Sequence, residues 1–320
     1  MLKQLCALLM LICSFQVTAA QPDDVQKDEV KVGMYITNLY DFNLADGSYV
    51  AEFWTWSLHS NDNLTFKDSQ EVIKAKKTIC SNFATQKKLN VNWEQKKCTA
   101  TILQDWDVRT FPFDKQHLTI NLEETMLDSN ALSYVADTEN SKVSNLLKME
   151  NWKVNAFAIN AKNANYDTTY GDPELQGSSS YPNLQADITL TRTYSWTTFI
   201  KLVTGLYVAF LIALMVFRIK PADSDSRVEL AVGGLFAAVG NKYIVENIVP
   251  TTTQNTMIDS IHNVTFGAIL LIVVMVIYIS GQYFENRKVK ALRLDKLAFW
   301  GILVGYITIN IALVLKALSS

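Results

Sequence analysis

The chain has 320 residues, of which 49% are apolar and 19% are charged, and this composition excludes a disordered or collagen-like protein. Lys and Arg number 29 against 31 Asp and Glu, so nucleic acid is not an expected partner, because nucleic-acid-binding proteins usually carry a basic surplus. The length favours two domains, and the apolar residues are unevenly spread along the chain.

Residues 1–20 have the pattern of a secretory signal peptide. Lys3 precedes an apolar stretch, and the small residues Ala19 and Ala20 end the segment. A first transmembrane helix is the alternative, but the apolar stretch is short for a bilayer and polar sequence follows at once. We therefore expect the segment to be removed and the next domain to be exported.

The exported part, residues 21–193, contains short runs in which apolar and polar residues alternate, a pattern typical of β-strands. These runs are 30–36, 49–58, 99–103, 118–122, 152–159 and 186–191. Asp46 and Gly47 predict a hairpin turn before the second run. We expect an antiparallel β-sandwich of eight to ten strands, in which residues 166–182 form a long hairpin loop.

Two cysteines remain in this part, Cys80 and Cys98. In an oxidising compartment they favour one disulfide, and two unpaired buried thiols are the alternative. The sequence contains no C-x-x-C or H-E-x-x-H motif, so we expect no metal site and no cofactor. It also lacks a Gly-rich phosphate loop and a nucleophile elbow, so we do not expect an enzyme.

Residues 194–320 contain four segments long enough to cross a bilayer as helices, at about 196–219, 225–249, 257–282 and 294–318. The second is too polar to face lipid, so other helices or water must line it. Four crossings place the basic loops on the inner side, whereas three crossings would place one outside. A single polar helix encloses an aqueous path only when several copies surround an axis, which predicts an oligomer.

Several motifs resemble those of the pentameric ligand-gated ion channels, in their bacterial form. Residues 106–116 (WDVRTFPFDKQ) are similar to the family's signature loop, and Gln104 and Leu118 stand near the positions of the two cysteines that close this loop in animal members. Further matches are 53–56 with the second strand, 188–192 with the last strand, and 245–250 with the outer end of the pore helix. The resemblance implies a homopentamer around a central pore in a bacterial inner membrane, with the sandwich in the periplasm.

Steps of four and three along the second helix place seven residues on one stripe: Asp225, Glu229, Gly233, Phe236, Gly240, Tyr243 and Asn247. The resemblance places this stripe on the pore. Five copies of Glu229 and Asp225 would form an acidic ring that favours monovalent cations, and five copies of Phe236 an apolar gate that closes by dewetting. Alternatively, Glu229 pairs with Arg227 or with another helix, Phe236 packs on an adjacent helix, and the glycines serve close helix packing. Lys242 and Glu246 are four residues apart and are expected to pair.

By resemblance, the signature loop touches the membrane domain and transmits gating. The candidates for this gating interface are Asp46, Pro112, Phe113, Asp114, Arg192 and Pro250. We expect a buried ion pair between Arg192 and Asp114, and the alternative is that Asp114 stabilises only its own loop.

Ligands of this family bind between subunits among aromatic side chains, whose faces can hold a cationic amine. The candidates are Trp54, Trp56, Tyr134, Tyr170 and Tyr181. Trp54 and Trp56 share one face of their strand, so both lie in the core or both lie near the cleft. Protons are an equal candidate for the gating signal. Two other functions stay open: a non-conducting receptor of the same fold, and a membrane enzyme that uses Glu229 or Glu246 as an intramembrane carboxylate.

Overall fold

The computed structural model describes residues 27–247 and 254–319. The signal peptide expected from the sequence and Pro250 lie outside these residues. The described chain is a β-sandwich followed by four long helices, as predicted. The strands are β1 (Asp28–Asn43), β2 (Ser48–His59), β3 (Gln70–Val72), β4 (Ala75–Lys88), β5 (Val91–Leu103), β6 (Lys115–Glu124), β7 (Leu132–Ala136), β8 (Lys142–Val143), β9 (Trp152–Tyr166) and β10 (Ser179–Arg192).

Two sheets form the sandwich. The larger has the strand order β4-β5-β2-β1-β7, with β8 also paired to β1, and the smaller has the order β3-β6-β10-β9. Paired strands are antiparallel, except that β1 runs parallel to β7 and β8. The prediction of a wholly antiparallel sandwich is therefore wrong at this edge, because the chain crosses from β6 in one sheet to the free side of β1 in the other.

The alternating sequence places one face of each central strand in the core. Along β2, Tyr49, Ala51 and Phe53 are buried, while Val50 and Glu52 between them are half-buried. The hairpin turn that leads into β2 passes through Gly47, whose φ of 57° lies in the left-handed region that glycine adopts readily. The alternation and the turn thus fix the register of this central pair of strands.

The edge strand β4 has no alternating pattern in the sequence, because it is largely exposed on both faces. It pairs with β5, and this pairing places Cys80 directly opposite Cys98. The two residues form a disulfide with their Cα atoms 4.1 Å apart. The covalent bond therefore joins two neighbouring strands of one sheet.

Four helices follow: α1 (Ser195–Leu214), which continues as a 3-10 turn (Met215–Arg218), α2 (Ser224–Glu246), α3 (Met257–Phe284) and α4 (Lys288–Ser319). All four are long and apolar enough to cross a membrane. α2 begins after Asp223, whose side chain accepts a hydrogen bond from Ser226 N at 3.4 Å. α4 begins at Lys288 rather than near residue 294, because the basic residues in this stretch are good helix formers.

Candidate functional site

One continuous face of α2 is exposed. All seven residues of the predicted stripe are exposed, and Phe236 and Tyr243 retain 71% and 68% of their accessible surface. The buried residues of α2 lie on the opposite side of the helix and are Arg227, Ala231, Gly234, Ala238 and Val245. Because α1 and α3 pack on that side, the stripe faces away from the other helices of the same chain.

The glycines of α2 divide into two groups. A Cβ atom added at Gly234 would lie 2.8 Å from the Cβ atom of Ala213, so this glycine permits close packing against α1. A Cβ atom added at Gly233 or Gly240 would meet nothing within 4 Å. The close-packing alternative therefore fits Gly234 but neither glycine of the stripe, within the described chain.

The charged residues of α2 also point in different directions. The Arg227 guanidinium bonds to Asp295 of α4 on the buried side, so the alternative pairing of Arg227 with Glu229 does not form. Glu229 is exposed and makes no ion pair within the residues that the structure describes. Near the C-terminal end of α2, the Lys242 ammonium lies 3.4 Å from both Glu246 and Asp259.

The signature loop contains the expected ion pair. Arg192 Nε donates to Asp114 Oδ1 at 2.5 Å, and Nη2 donates to Oδ2 at 3.1 Å. The Arg192 guanidinium also lies over the rings of Phe111 and Trp152, at 4.7 and 4.3 Å from their centroids. Asp114 is buried and accepts a further bond from Gln116 Nε2 at 2.8 Å, so it stabilises its own loop as well.

The same loop contacts the membrane domain. The Phe113 ring lies 4.8 Å from the ring of Trp196 and 5.7 Å from that of Phe199, both in α1. Val108 N donates to Gln254 Oε1 at 3.3 Å, just before α3. The loop therefore touches the beginning of α1 and the segment that leads into α3.

Two further contacts hold this loop and the neighbouring turn. Gln104 Nε2 donates to the His117 carbonyl at 3.0 Å across the base of the loop, near the positions where animal members of the resembled family carry cysteines. Trp106 Nε1 donates at 3.1 Å to the carbonyl of Asn43, whose amide bonds to Asp46. The Asp46 turn is thus connected to the loop, while contacts of Pro250 fall outside the described residues.

Two of the candidate ligand-binding aromatic residues, Tyr170 and Tyr181, form a cluster with Tyr166, which the sequence analysis does not include. The rings of Tyr166, Tyr170 and Tyr181 lie 5.5 to 6.3 Å apart between their centroids. The Tyr166 hydroxyl donates to the Glu123 carboxylate at 2.8 Å, and burial raises the pKa of this carboxyl. Tyr166 lies at the end of a strand with irregular spacing, and nothing in the sequence connects it with Glu123.

The remaining aromatic candidates lie elsewhere. Tyr134 is 7% exposed in the sandwich core, where its hydroxyl bonds to Gln70 and Glu124, each at 3.1 Å, so the expectation of a ligand contact is wrong for it. Trp54 and Trp56 lie half-buried on the outer face of β2 rather than in the core. The Trp56 indole is held by its own chain, because its Nε1 donates to Asp137 Oδ2 at 3.0 Å.

A buried polar cluster inside the sandwich was also missed. Lys96 Nζ donates to three carbonyls, those of Phe66, Lys67 and Gln70, at 3.0 to 3.3 Å. Burial lowers the pKa of Lys96 to about 8, and burial raises the pKa of the nearby Glu124 carboxyl. Two neighbouring groups with shifted pKa values are a candidate for proton sensing. In the sequence, Lys96 and Glu124 are marked only by inward-facing positions on their strands.

No protein-family model matches the chain. The chain is 26% identical to acetylcholine receptor subunit alpha-type deg-3 of Caenorhabditis elegans over 195 residues, which are 58% of this chain and 33% of that protein. It is 25% identical to neuronal acetylcholine receptor subunit alpha-9 of Gallus gallus over 181 residues, which are 55% of this chain and 35% of that protein. The chain is similar to acetylcholine receptor subunits.

The similarity to acetylcholine receptor subunits spans about a third of the length of these curated relatives. It agrees with the motif resemblance to pentameric ligand-gated channels and supports that family. Together with the four apolar helices, it supports a multi-pass membrane protein with a receptor domain.

Proposed function

We propose that the chain is the subunit of a homopentameric ligand-gated ion channel whose pore is lined by α2. The exposed stripe of α2 carries this proposal. A lipid-facing helix would expose an apolar surface, whereas this stripe ends in carboxylates at its inner turn and an amide at its outer turn. Five copies around an axis place such a face in water, where its charges are solvated.

The inner end of the stripe accounts for selectivity. Asp225 and Glu229 are one turn apart and both exposed, so five copies form two adjacent acidic rings at the inner mouth. Rings of carboxylates attract cations and repel anions. Farther along, the exposed ring of Phe236 supplies an apolar constriction that closes when water leaves it.

The signature loop supports a route from the sandwich to the pore. Through Asp114 and Arg192 it is joined to β10, which leads directly into α1, and through Phe113 it packs on α1. Movement of the sandwich is therefore transmitted to the membrane helices through this ion pair and these ring contacts. We assign gating to this junction.

The signal that opens the channel is a small molecule or a proton. The cluster of Tyr166, Tyr170 and Tyr181 beside Glu123 offers aromatic faces and a carboxylate, which suit a cationic amine. The buried Lys96 and Glu124 offer groups that change charge with pH. We place the protein in the inner membrane of a bacterium with the sandwich in the periplasm, on the charge pattern of its loops.

Selectivity is tested by the reversal potential of the full chain expressed in oocytes, with sodium and chloride replaced in turn. Wild type is expected to follow the sodium gradient. Glu229→Gln halves the formal charge of the two rings and is expected to shift the reversal potential towards that of chloride. Glu285→Gln is the matched control, because Glu285 is an exposed acid at the end of α3 and not on the stripe. A wild-type current that follows chloride would contradict cation selectivity.

A further inference from the structure

Arg227 is completely buried although it carries a charge. Its Nε donates to the Val216 carbonyl in the 3-10 turn at 3.1 Å, and its Nη2 donates to Asp295 Oδ1 in α4. The ring of Phe217 lies 5.7 Å from the guanidinium carbon. One side chain thus connects the first turns of α2 to the turn after α1 and to α4.

A buried arginine is stable only while its charge is compensated. Removing one partner of a buried pair is far more costly than replacing both, because a charge is left without a counter-ion in a low dielectric. Among the described residues, the Nη1 group of Arg227 has no hydrogen-bond partner, so the guanidinium depends on Asp295 and Val216. Without Asp295, the arginine must turn towards water.

The direction in which Arg227 points determines the direction of the exposed stripe of α2. Successive residues of a helix are rotated by about 100°, so Arg227 points roughly opposite to Asp225 and Glu229. Fixing Arg227 against α4 therefore fixes both carboxylates on the face directed away from the bundle. Rotation of α2 that brings the arginine to water would carry the carboxylates off that face.

We propose that Arg227 and Asp295 are a positioning pair, which sets the rotation of the inner end of α2 and makes α4 part of the control of the inner mouth. The inference rests on the proposed function only in naming this face as the pore. Arg227 and Asp295 do not contact permeant ions themselves. They act through the orientation of Asp225 and Glu229, which face the proposed pore.

The test measures which face of α2 is accessible, without using current. Glu229→Cys and Ala231→Cys are made separately in the full chain, and reaction with N-ethylmaleimide is followed by protein mass. Cys80 and Cys98 do not compete because they are disulfide-bonded, and Cys6 and Cys13 are changed to alanine in every variant. Because thiol reactivity follows exposure, the exposed position is expected to react at least about tenfold faster than the buried one.

Adding Asp295→Asn is expected to reduce this ratio below about threefold, because the freed arginine turns α2. Asp295→Glu retains the carboxylate and is expected to retain the ratio. Glu285→Gln is expected to leave the ratio unchanged, because Glu285 lies just after the end of α3 and its side chain is 59% exposed. An assembled Asp295→Asn protein with the wild-type ratio would overturn the proposal, and so would loss of the ratio in Asp295→Glu.

If Asp295→Asn does not assemble, Arg227→Lys takes its place. A single ammonium has no planar fork to hold both Val216 and Asp295, so the ratio is expected to fall at least about threefold. An unchanged ratio in this variant would overturn the proposal. A tenfold ratio between the two cysteine variants, together with no current from wild type, would contradict the proposed channel and leave the positioning pair standing.

Discussion

The buried pair of Asp114 and Arg192 allows a quantitative test of the junction. Asp114→Asn keeps the shape of the side chain and removes its charge. The amide oxygen can accept one of the two N–H groups of Arg192, but the amide nitrogen then faces the other. Both hydrogen bonds, at 2.5 and 3.1 Å, are therefore weakened or lost.

The expected cost follows from burial. Removing one partner of a buried pair costs about 3–5 kcal/mol. The Asp114 side chain is fully buried but that of Arg192 is 15% exposed, so we take the lower end, about 3 kcal/mol. For a domain of this size each kcal/mol lowers the melting temperature by about 2–4 °C, so Asp114→Asn should lower it by roughly 6–12 °C.

The assay is thermal unfolding of the full chain in detergent, followed by tryptophan fluorescence. Asp107→Asn is the matched control, because Asp107 lies in the same loop and also pairs with an arginine, Arg109, at 2.6 Å. That pair is exposed, with side chains 49% and 72% accessible, so solvent screens it and its loss should lower the melting temperature far less than Asp114→Asn does. Equal melting temperatures for the two variants would refute the assignment of a buried, stabilising pair to the junction.

Two further predictions concern the sandwich. Gly33→Ala places a Cβ atom 2.3 Å from the Trp56 ring, so the indole must move away from Asp137. We expect the free energy of unfolding to fall by roughly 1–3 kcal/mol. An unchanged melting temperature would contradict this expectation. Burial raises the pKa of Glu124 above its ordinary value of 4.5, so the folded protein holds this proton more tightly than the unfolded chain does. Stability contributed by Glu124 is therefore present below pH 4.5 and lost as the pH rises through the raised pKa. Glu124→Gln should flatten this fall in melting temperature, and parallel pH profiles for wild type and variant would exclude the effect.

The sequence predicts an element of structure best where its residues follow a regular pattern and each of its faces lies in a single environment. Apolar length identified the four helices, and alternation identified the central strands, because one face of each is buried. Helical spacing from Asp225 also grouped the seven residues that prove to be exposed together. In each of these cases the pattern is local, because it depends on residues of one strand or one helix.

Contacts between residues far apart in the sequence leave no regular pattern in it, and most of them were therefore not predicted. The strand β4 was missed because both of its faces are exposed, so its residues do not alternate. The pairing of Arg227 with Asp295 was missed because the two residues are 68 positions apart on different helices, and helical spacing reports only neighbours on the same helix. Tyr134 was misplaced because an inward tyrosine and an outward one look the same in the sequence when the register of a short strand is unknown.

The central claim is that the exposed stripe of α2 lines an ion pore, and membrane current tests it most directly. Phe236→Ala removes the apolar constriction, so oocytes expressing it should show a constitutive current without any agonist. Ile244→Ala is the control, since Ile244 is exposed on α2 but lies off the stripe. We predict a current in Phe236→Ala that reverses with the cation gradient, and none in the control. Silence in Phe236→Ala, with pentamers present at the cell surface, would contradict the pore and favour a non-conducting receptor of the same fold.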